Sequence, residues 1–138
     1  MTVTEHRHRT LIDGWSRHWT AQDFTAFSAL FADDMLYEDV PIKAVCRGID
    51  EFKEQLWDPT AVAFADWTAT IVSCVVDGHR GAAEFILSGL NVGTLFDHPP
   101  TGERFVVRGI AAVKFADGRI AEWRDYYDLA DALATIGR

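Results

Sequence analysis

The chain reads as an α+β protein, with helices in its first half followed by a curved antiparallel sheet that carries those helices on one face. Three observations predict this. Apolar residues recur at helical spacing through the first half, and from Asp66 onward the texture changes to strand-like alternation. Three turn signals, Asp77-Gly78, Pro100-Thr101-Gly102 and Asp117-Gly118, divide the second half into four consecutive strands. Neither an internal repeat nor a linker interrupts the order, so residues 1–138 are expected to form one domain.

Residues 4–31 read as helical. Leu11, Trp15 and Trp19 recur every fourth position on one face, with Ile12 and Trp15 as i, i+3 neighbours. A break at Ala21-Gln22 leaves Asp23 to cap a second short helix, DFTAFSALF. MLYEDVP (35–41) is a short strand stopped by Pro41. Helical character returns over GIDEFKEQLW (48–57) and is expected to end before Pro59, because a proline disfavours helical geometry in the residue preceding it. Next come the strands DWTATIVSCVVDG, HRGAAEFILSGLNVG, ERFVVRGIAAVKFADG and RIAEWRDYYDL. In the last pair, Asp117-Gly118 is a strong hairpin signal, since both central residues of the favoured two-residue turn need φ > 0. LADALATIGR closes the chain as a brief helix or an ordered extension.

Composition narrows the function classes. A net charge of −8 disfavours nucleic acid or an anionic membrane as partner, because both need a basic field. No run approaches the roughly 18 apolar residues of a membrane helix, and MTVTEHRHRT has no signal-like apolar stretch, so a cytoplasmic location is expected. Cys46 and Cys74 form no metal or redox motif and read as reduced thiols. The five histidines show no metal-ligand spacing on one element, so neither metal nor cofactor is expected. A Gly-rich phosphate loop and a Gly-x-Ser-x-Gly elbow are both missing.

Strand parity supplies the candidate site. Trp123, Asp125 and Tyr127 share one face of the last strand, and Arg124 and Tyr126 take the other. An acid between two aromatic rings is costly to bury without partners, which suggests a lined cavity holding a titrating group. On the early strand, Tyr37 and Asp39 share a parity opposite to Glu38. Asp125 is therefore a candidate catalytic residue, and Asp39, if it faces the same cavity, could share one proton with it. Val107, Gly109, Ala111 and Val113 are expected on the same inner face, where Gly109 and Ala111 would leave room for a ligand. Trp15, Trp19, Phe85 and Leu87 complete the expected wall with Trp123 and Tyr127. The outward Arg108, Ile110, Ala112, Arg124 and Tyr126 suggest a homodimer through the outer face of the sheet.

LFADDMLYEDVP after the opening helices and DGRIAEWRDYYDL at the end resemble the nuclear transport factor 2-like superfamily. That superfamily includes ketosteroid isomerases, SnoaL-like polyketide cyclases, scytalone dehydratases and limonene-epoxide hydrolases. The resemblance implies a cone: a bent antiparallel sheet whose concave face, covered by the N-terminal helices, encloses a deep, mostly apolar pocket. From the isomerases it carries a proton-shuttling base onto Asp39, while Trp15 and Ala111 stand where their two acidic donors would be. From the epoxide hydrolases it carries water activation onto Asp125 and a supporting Tyr onto Tyr37. Asp39 stands where the hydrolases have a water-positioning Asn, and Phe85 and Leu87 where they have an Arg-Asp pair. HPPTGERFVVRGIAAVKFADGRIAEW resembles SnoaL-type cyclases, whose acid for aldol ring closure falls on Asp125 or its neighbours. The resemblance leaves two functions of different class. One is a cofactor-independent enzyme performing isomerisation, dehydration, cyclisation or epoxide hydration on a hydrophobic, oxygenated terpenoid, steroid or polyketide. The other is a non-catalytic small-molecule binder or scaffold of the same fold.

Overall fold

A computed structural model describes residues 1–138. Helix α1 spans Val3–Thr20 and opens with a capping box: the Thr2 side chain accepts from the Glu5 backbone N–H, and Glu5 reaches back to the Thr2 backbone. Its buried face carries Ile12, Trp15 and Trp19, with Leu11 at the edge. The expected break falls at Gln22, whose φ is 57°. Asp23 then caps α2 (Phe24–Ser28) by accepting from the Ala26 N–H at 3.1 Å.

Strand β1 covers Phe31–Asp39, beginning four residues before the expected strand, and pairs with a short β2 (Ala44–Arg47) that four residues of sequence do not announce. The next helical segment does not stop before Pro59. It runs as α3 (Ile49–Phe52), a wider π turn (Lys53–Trp57) and α4 (Asp58–Ala63). Pro59 sits in the first turn of α4, where a missing N–H is least costly. The π turn, closed by the Asp58 N–H to the Lys53 carbonyl, re-routes the hydrogen bonds just upstream.

The four expected strands are β3 (Phe64–Asp77), β4 (Arg80–Asn91), β5 (Arg104–Ala116) and β6 (Arg119–Tyr127), joined as an antiparallel meander. Asp117 and Gly118 both have positive φ, 52° and 74°, as the two-residue hairpin requires. Near its start β3 bulges at Asp66, where φ is 51° and the register with β4 shifts. The tail forms α5 (Leu129–Ala134), capped by Asp128.

The sheet order is β2-β1-β6-β5-β4-β3. It is mixed rather than wholly antiparallel, because β1 lies parallel to β6. Alternation shows which face a side chain takes but not the direction of a distant partner strand, so this pairing is not legible in the sequence. The inner face supports one aromatic core beneath α1, in which Trp15 stacks on Trp123 with ring centroids 4.6 Å apart. Ser16 and Thr20 tie α1 to β3 by donating to the Ala69 carbonyl at 2.6 and 3.0 Å.

Candidate active site

The parallel register of β1 and β6 builds the site. It sets Tyr37 beside Trp123 and Asp39 beside Asp125, so the two acids stand next to each other on adjacent strands. On the other side of Asp125 the β5 partner is Ala111, which adds no polar group. Both carboxyl groups line a pocket of about 90 Å³ whose wall is otherwise mostly apolar.

Each acid has its own donors. Asp125 is 3% exposed and accepts from the Trp123 indole N–H at 2.7 Å. Behind it, Trp15 Nε1 donates to the Tyr37 hydroxyl at 2.9 Å. Asp39 accepts from the Tyr127 hydroxyl at 2.8 Å. Burial pushes the Asp39 carboxyl up to about 6, against the opposing pull of the Tyr127 and Ile42 hydrogen bonds. Asp125 is pushed well above the ordinary carboxylate range, first by burial and then by the Asp39 charge. Trp123 and Tyr37 offset part of this. The pair thus titrates in order: Asp39 gives up its proton first, and its charge then holds the proton on Asp125. Burial raises the Tyr37 and Tyr127 hydroxyls as well, so both remain donors.

Of the residues the sequence proposes for the wall, Trp19, Leu87, Val107 and Tyr127 line the pocket with Asp39 and Asp125. Trp15, Phe85, Gly109 and Trp123 do not; they form the packed layer behind it. Gly109 opens no space for a ligand, contrary to the expectation from its size, because the Phe85 ring fills that space. A Cβ on Gly109 would meet Phe85 Cζ at 2.7 Å and the Tyr126 carbonyl at 2.7 Å. Ala111 likewise belongs to the core. Tyr37, fully buried, supports Asp125 from behind rather than facing the cavity.

Several wall residues are not evident from the sequence pattern. Leu56, Pro59 and Thr60 come from the helical segment at spacing i, i+3, i+4, a signal hidden by ending that helix too early. Phe105 shares the parity of Val107 and is reached by extending the same alternation two residues along β5. Trp67 shares the inward parity of Ala69, and the bulge at Asp66 brings Phe64 to the same face, which no alternation pattern reveals. No group of three or more His, Cys, Asp or Glu side chains converges in a metal-holding arrangement.

Comparison with known structures gives the same architecture repeatedly. A candidate SnoaL-like polyketide cyclase from Jannaschia sp. CCS1 superposes with a TM-score of 0.85 at 18% identity, covering 99% of this chain and 95% of that one. An LEH-like epoxide hydrolase from M. tuberculosis gives 0.75 at 20% identity, covering 96% of this chain and 90% of that one. A protein of ketosteroid isomerase-like fold from Catenulispora acidiphila DSM 44928, in complex with trimethylamine, gives 0.79 at 24% identity, covering 92% of each chain. These likenesses establish the fold. A search of curated protein sequences finds no match. The family profile of the SnoaL-like polyketide cyclases, however, matches residues 9–136, nearly the whole chain. With the cone-shaped fold and its acid-bearing pocket in place, that match makes this chain a member of the SnoaL-like polyketide cyclase family.

Proposed function

We propose that the protein is a cofactor-independent acid–base enzyme that forms and captures an enolate on a hydrophobic, oxygenated substrate, with a polyketide-like carbonyl compound as the leading class. The observation that carries this reading is the adjacent pair Asp39 and Asp125 on the pocket wall, with ionisations driven apart. At neutral pH the Asp39 carboxylate removes a proton from the carbon next to a substrate carbonyl, and the C–H electrons move into the enolate. Protonated Asp125 donates its hydrogen bond to the developing enolate oxygen, which is where the charge accumulates. In a ring closure the enolate carbon then attacks a second carbonyl of the same molecule. The new alkoxide recovers the proton held by Asp39, leaving both acids as they began. Tyr127 positions Asp39, and the Trp123 indole N–H positions Asp125.

The same electrostatics discriminate among the family's reactions. A carboxyl that holds its proton is a poor base for water, which disfavours the epoxide-hydrolase role for Asp125. Phe85 lies in the core, where that reaction needs a polar partner. An isomerisation uses the same first step and differs only in where the proton returns. The non-catalytic reading is favoured by one observation, the mostly apolar lining of the pocket.

Turnover of poly-β-ketone and ketosteroid pools by wild-type, Asp39→Asn and Asp125→Asn proteins tests the proposal. Loss of the base is expected to lower kcat/KM by about 10²- to 10⁴-fold, the usual worth of a positioned acid or base. Full activity in both variants, or tight binding of a pool component without turnover by wild type, sinks it. The free thiols Cys46 and Cys74 fit a reducing cytoplasm, and no helix is long and apolar enough to cross a membrane.

A further inference from the structure

The pocket meets solvent where its lining is exposed, at Gln55, Pro59 and Phe96. Phe96 is 47% exposed, the one large apolar side chain of the lining that the fold leaves in water. It sits in a tight turn. Leu95 and His98 exchange both backbone hydrogen bonds, at 3.0 and 2.9 Å, around Phe96 and Asp97, whose φ values are 49° and 64°. Two positive φ values between a doubly bonded pair define a two-residue hairpin turn, which favours Asn, Asp and Gly. Asp97 suits it. A Phe in the left-handed region instead crowds its Cβ against the following carbonyl oxygen, so the turn itself gives no reason for a ring at this position.

The loop that carries the turn is anchored on both sides. Asn91, 1% exposed, donates to the Ala63 and Gly93 carbonyls at 3.2 and 3.0 Å and accepts from the Thr101 N–H at 2.9 Å, tying both ends of the loop to the end of α4. Gly93 packs so closely on the Val62 carbonyl that a Cβ has no room there. Arg138 donates to the Pro99 carbonyl at 2.9 Å, and Leu95 packs on the core. The surroundings therefore hold Phe96 at the rim in a conformation its side chain disfavours. Such strain persists where something other than the turn makes use of the residue.

Size points to that use. The pocket, about 90 Å³, is smaller than the roughly 150 Å³ apolar cavity that takes one benzene molecule, so it encloses at most one small ring. A larger ligand with its carbonyl at Asp39 and Asp125 must emerge through the mouth. We propose that Phe96 is a specificity-determining contact, whose ring covers the part of the ligand that emerges and selects neutral molecules with an apolar end longer than one ring. This deepens the acid–base reading above and rests on it for one point, that the reacting end lies at the acid pair. An anionic end is disfavoured, because no Lys, Arg or His lines the pocket.

Cyclohexanone and 4-cyclohexylcyclohexanone share a ketone ring, and only the second carries a further ring that reaches the mouth. Both are titrated by NMR into wild-type protein and Phe96→Asn. Asn accepts a positive φ, so the urea midpoint of the variant is expected to equal or exceed that of wild type. Phe96→Asn is expected to bind 4-cyclohexylcyclohexanone about three- to tenfold more weakly, the range for the apolar area one ring face covers, and cyclohexanone unchanged. In wild type, nuclear Overhauser contacts are expected between the outer ring of the probe and the Phe96 ring, a readout that does not depend on the variant. Equal affinity of the two proteins for 4-cyclohexylcyclohexanone overturns the proposal. So does the absence of Overhauser contacts at Phe96, or a wild type that does not bind this probe. The two readings fail separately. Inactive Asp39→Asn with no effect at Phe96 removes this proposal alone, and Overhauser contacts at Phe96 with fully active Asp39 and Asp125 variants remove the acid–base reading alone.

Discussion

Asp39 and Asp125 carry the same functional group, yet their surroundings give them opposite tasks. Asp39 keeps partial contact with the open pocket and loses its proton near pH 6, while Asp125 is enclosed and feels the charge of Asp39. Activity is therefore expected to rise with pH through about 6 as Asp39 ionises and to fall again when Asp125 finally does, a bell traced by kcat/KM. Asp39→Asn removes the acid limb. Stability moves the other way. Both folded acids bind protons more tightly than a free Asp, so the folded chain holds protons that the unfolded chain releases. The stabilising contribution of Asp39 is complete below the ordinary Asp value of 3.8 and is lost as pH rises through about 6, and that of Asp125 is lost as pH rises through its own raised value. Urea denaturation between pH 4 and 7 should show this decline in wild type and a flatter one in Asp39→Asn. A decline of equal slope in both proteins would exclude Asp39 as its source. Asp125→Asn removes a group that must take up a proton on folding at neutral pH, so the variant is expected to be at least as stable as wild type there and to lose this advantage as pH falls toward 4, read by urea denaturation.

At the scale of elements, the decisive contact is β1 against β6. A two-residue slip there would carry Asp39 away from Asp125 while leaving both on the inner face. Several packed layers fix the register: Trp15 donates to Tyr37, stacks on Trp123, and closes the space beneath both strands. The β4–β5 contact is tight in a different way, since Gly109 lets Phe85 and Tyr127 approach the backbone. Gly109→Ala should overpack this layer and cost about 1–3 kcal/mol, read as a lower urea midpoint at unchanged slope. Tyr127 holds Asp39, so the same variant should also lower activity by more than its stability loss explains. A Gly109→Ala protein with wild-type midpoint would show that the strands relax freely at this point.

Over the whole molecule, the sheet covers one face with helices and leaves the other bare. Ile110, Tyr126 and Val75 are 55%, 49% and 68% exposed on that outer face. Val75, Ala82, Ala112 and Arg124 form one row across β3 to β6. Some nearby charges are paired within the chain, Arg124 with Glu38 at 3.2 Å and Lys114 with Glu122 at 3.2 Å, while Glu84 and Arg108 beside Ile110 carry opposite charges that a two-fold partner could pair. We propose a homodimer through this face. Sedimentation at micromolar concentration should show a dimer for wild type and a monomer for Ile110→Glu, whose side chain is too exposed to disturb the fold. A monomeric wild type at that concentration refutes it.

Local chemistry determined what the sequence alone could specify. Asp117-Gly118 fixed a hairpin because that turn needs two positive φ values, Asp23 fixed a helix start, and alternation fixed the inward face of Trp123, Asp125 and Tyr127. Each depends on residues a few positions apart. The tertiary structure decided everything that needs distant segments to meet. Parity could place Tyr37 and Asp39 on one face, but not show that their strand runs parallel to β6, about 80 residues later in the chain. Small residues looked like open volume, yet Gly109 is filled by a ring from the next strand. Pro59 looked like a stop, yet a π turn carried the helix onward to deliver part of the pocket wall. The titration of the acids belongs here too: burial raises both, the Asp39 charge raises Asp125 further, and that charge reaches Asp125 only once β1 and β6 lie side by side.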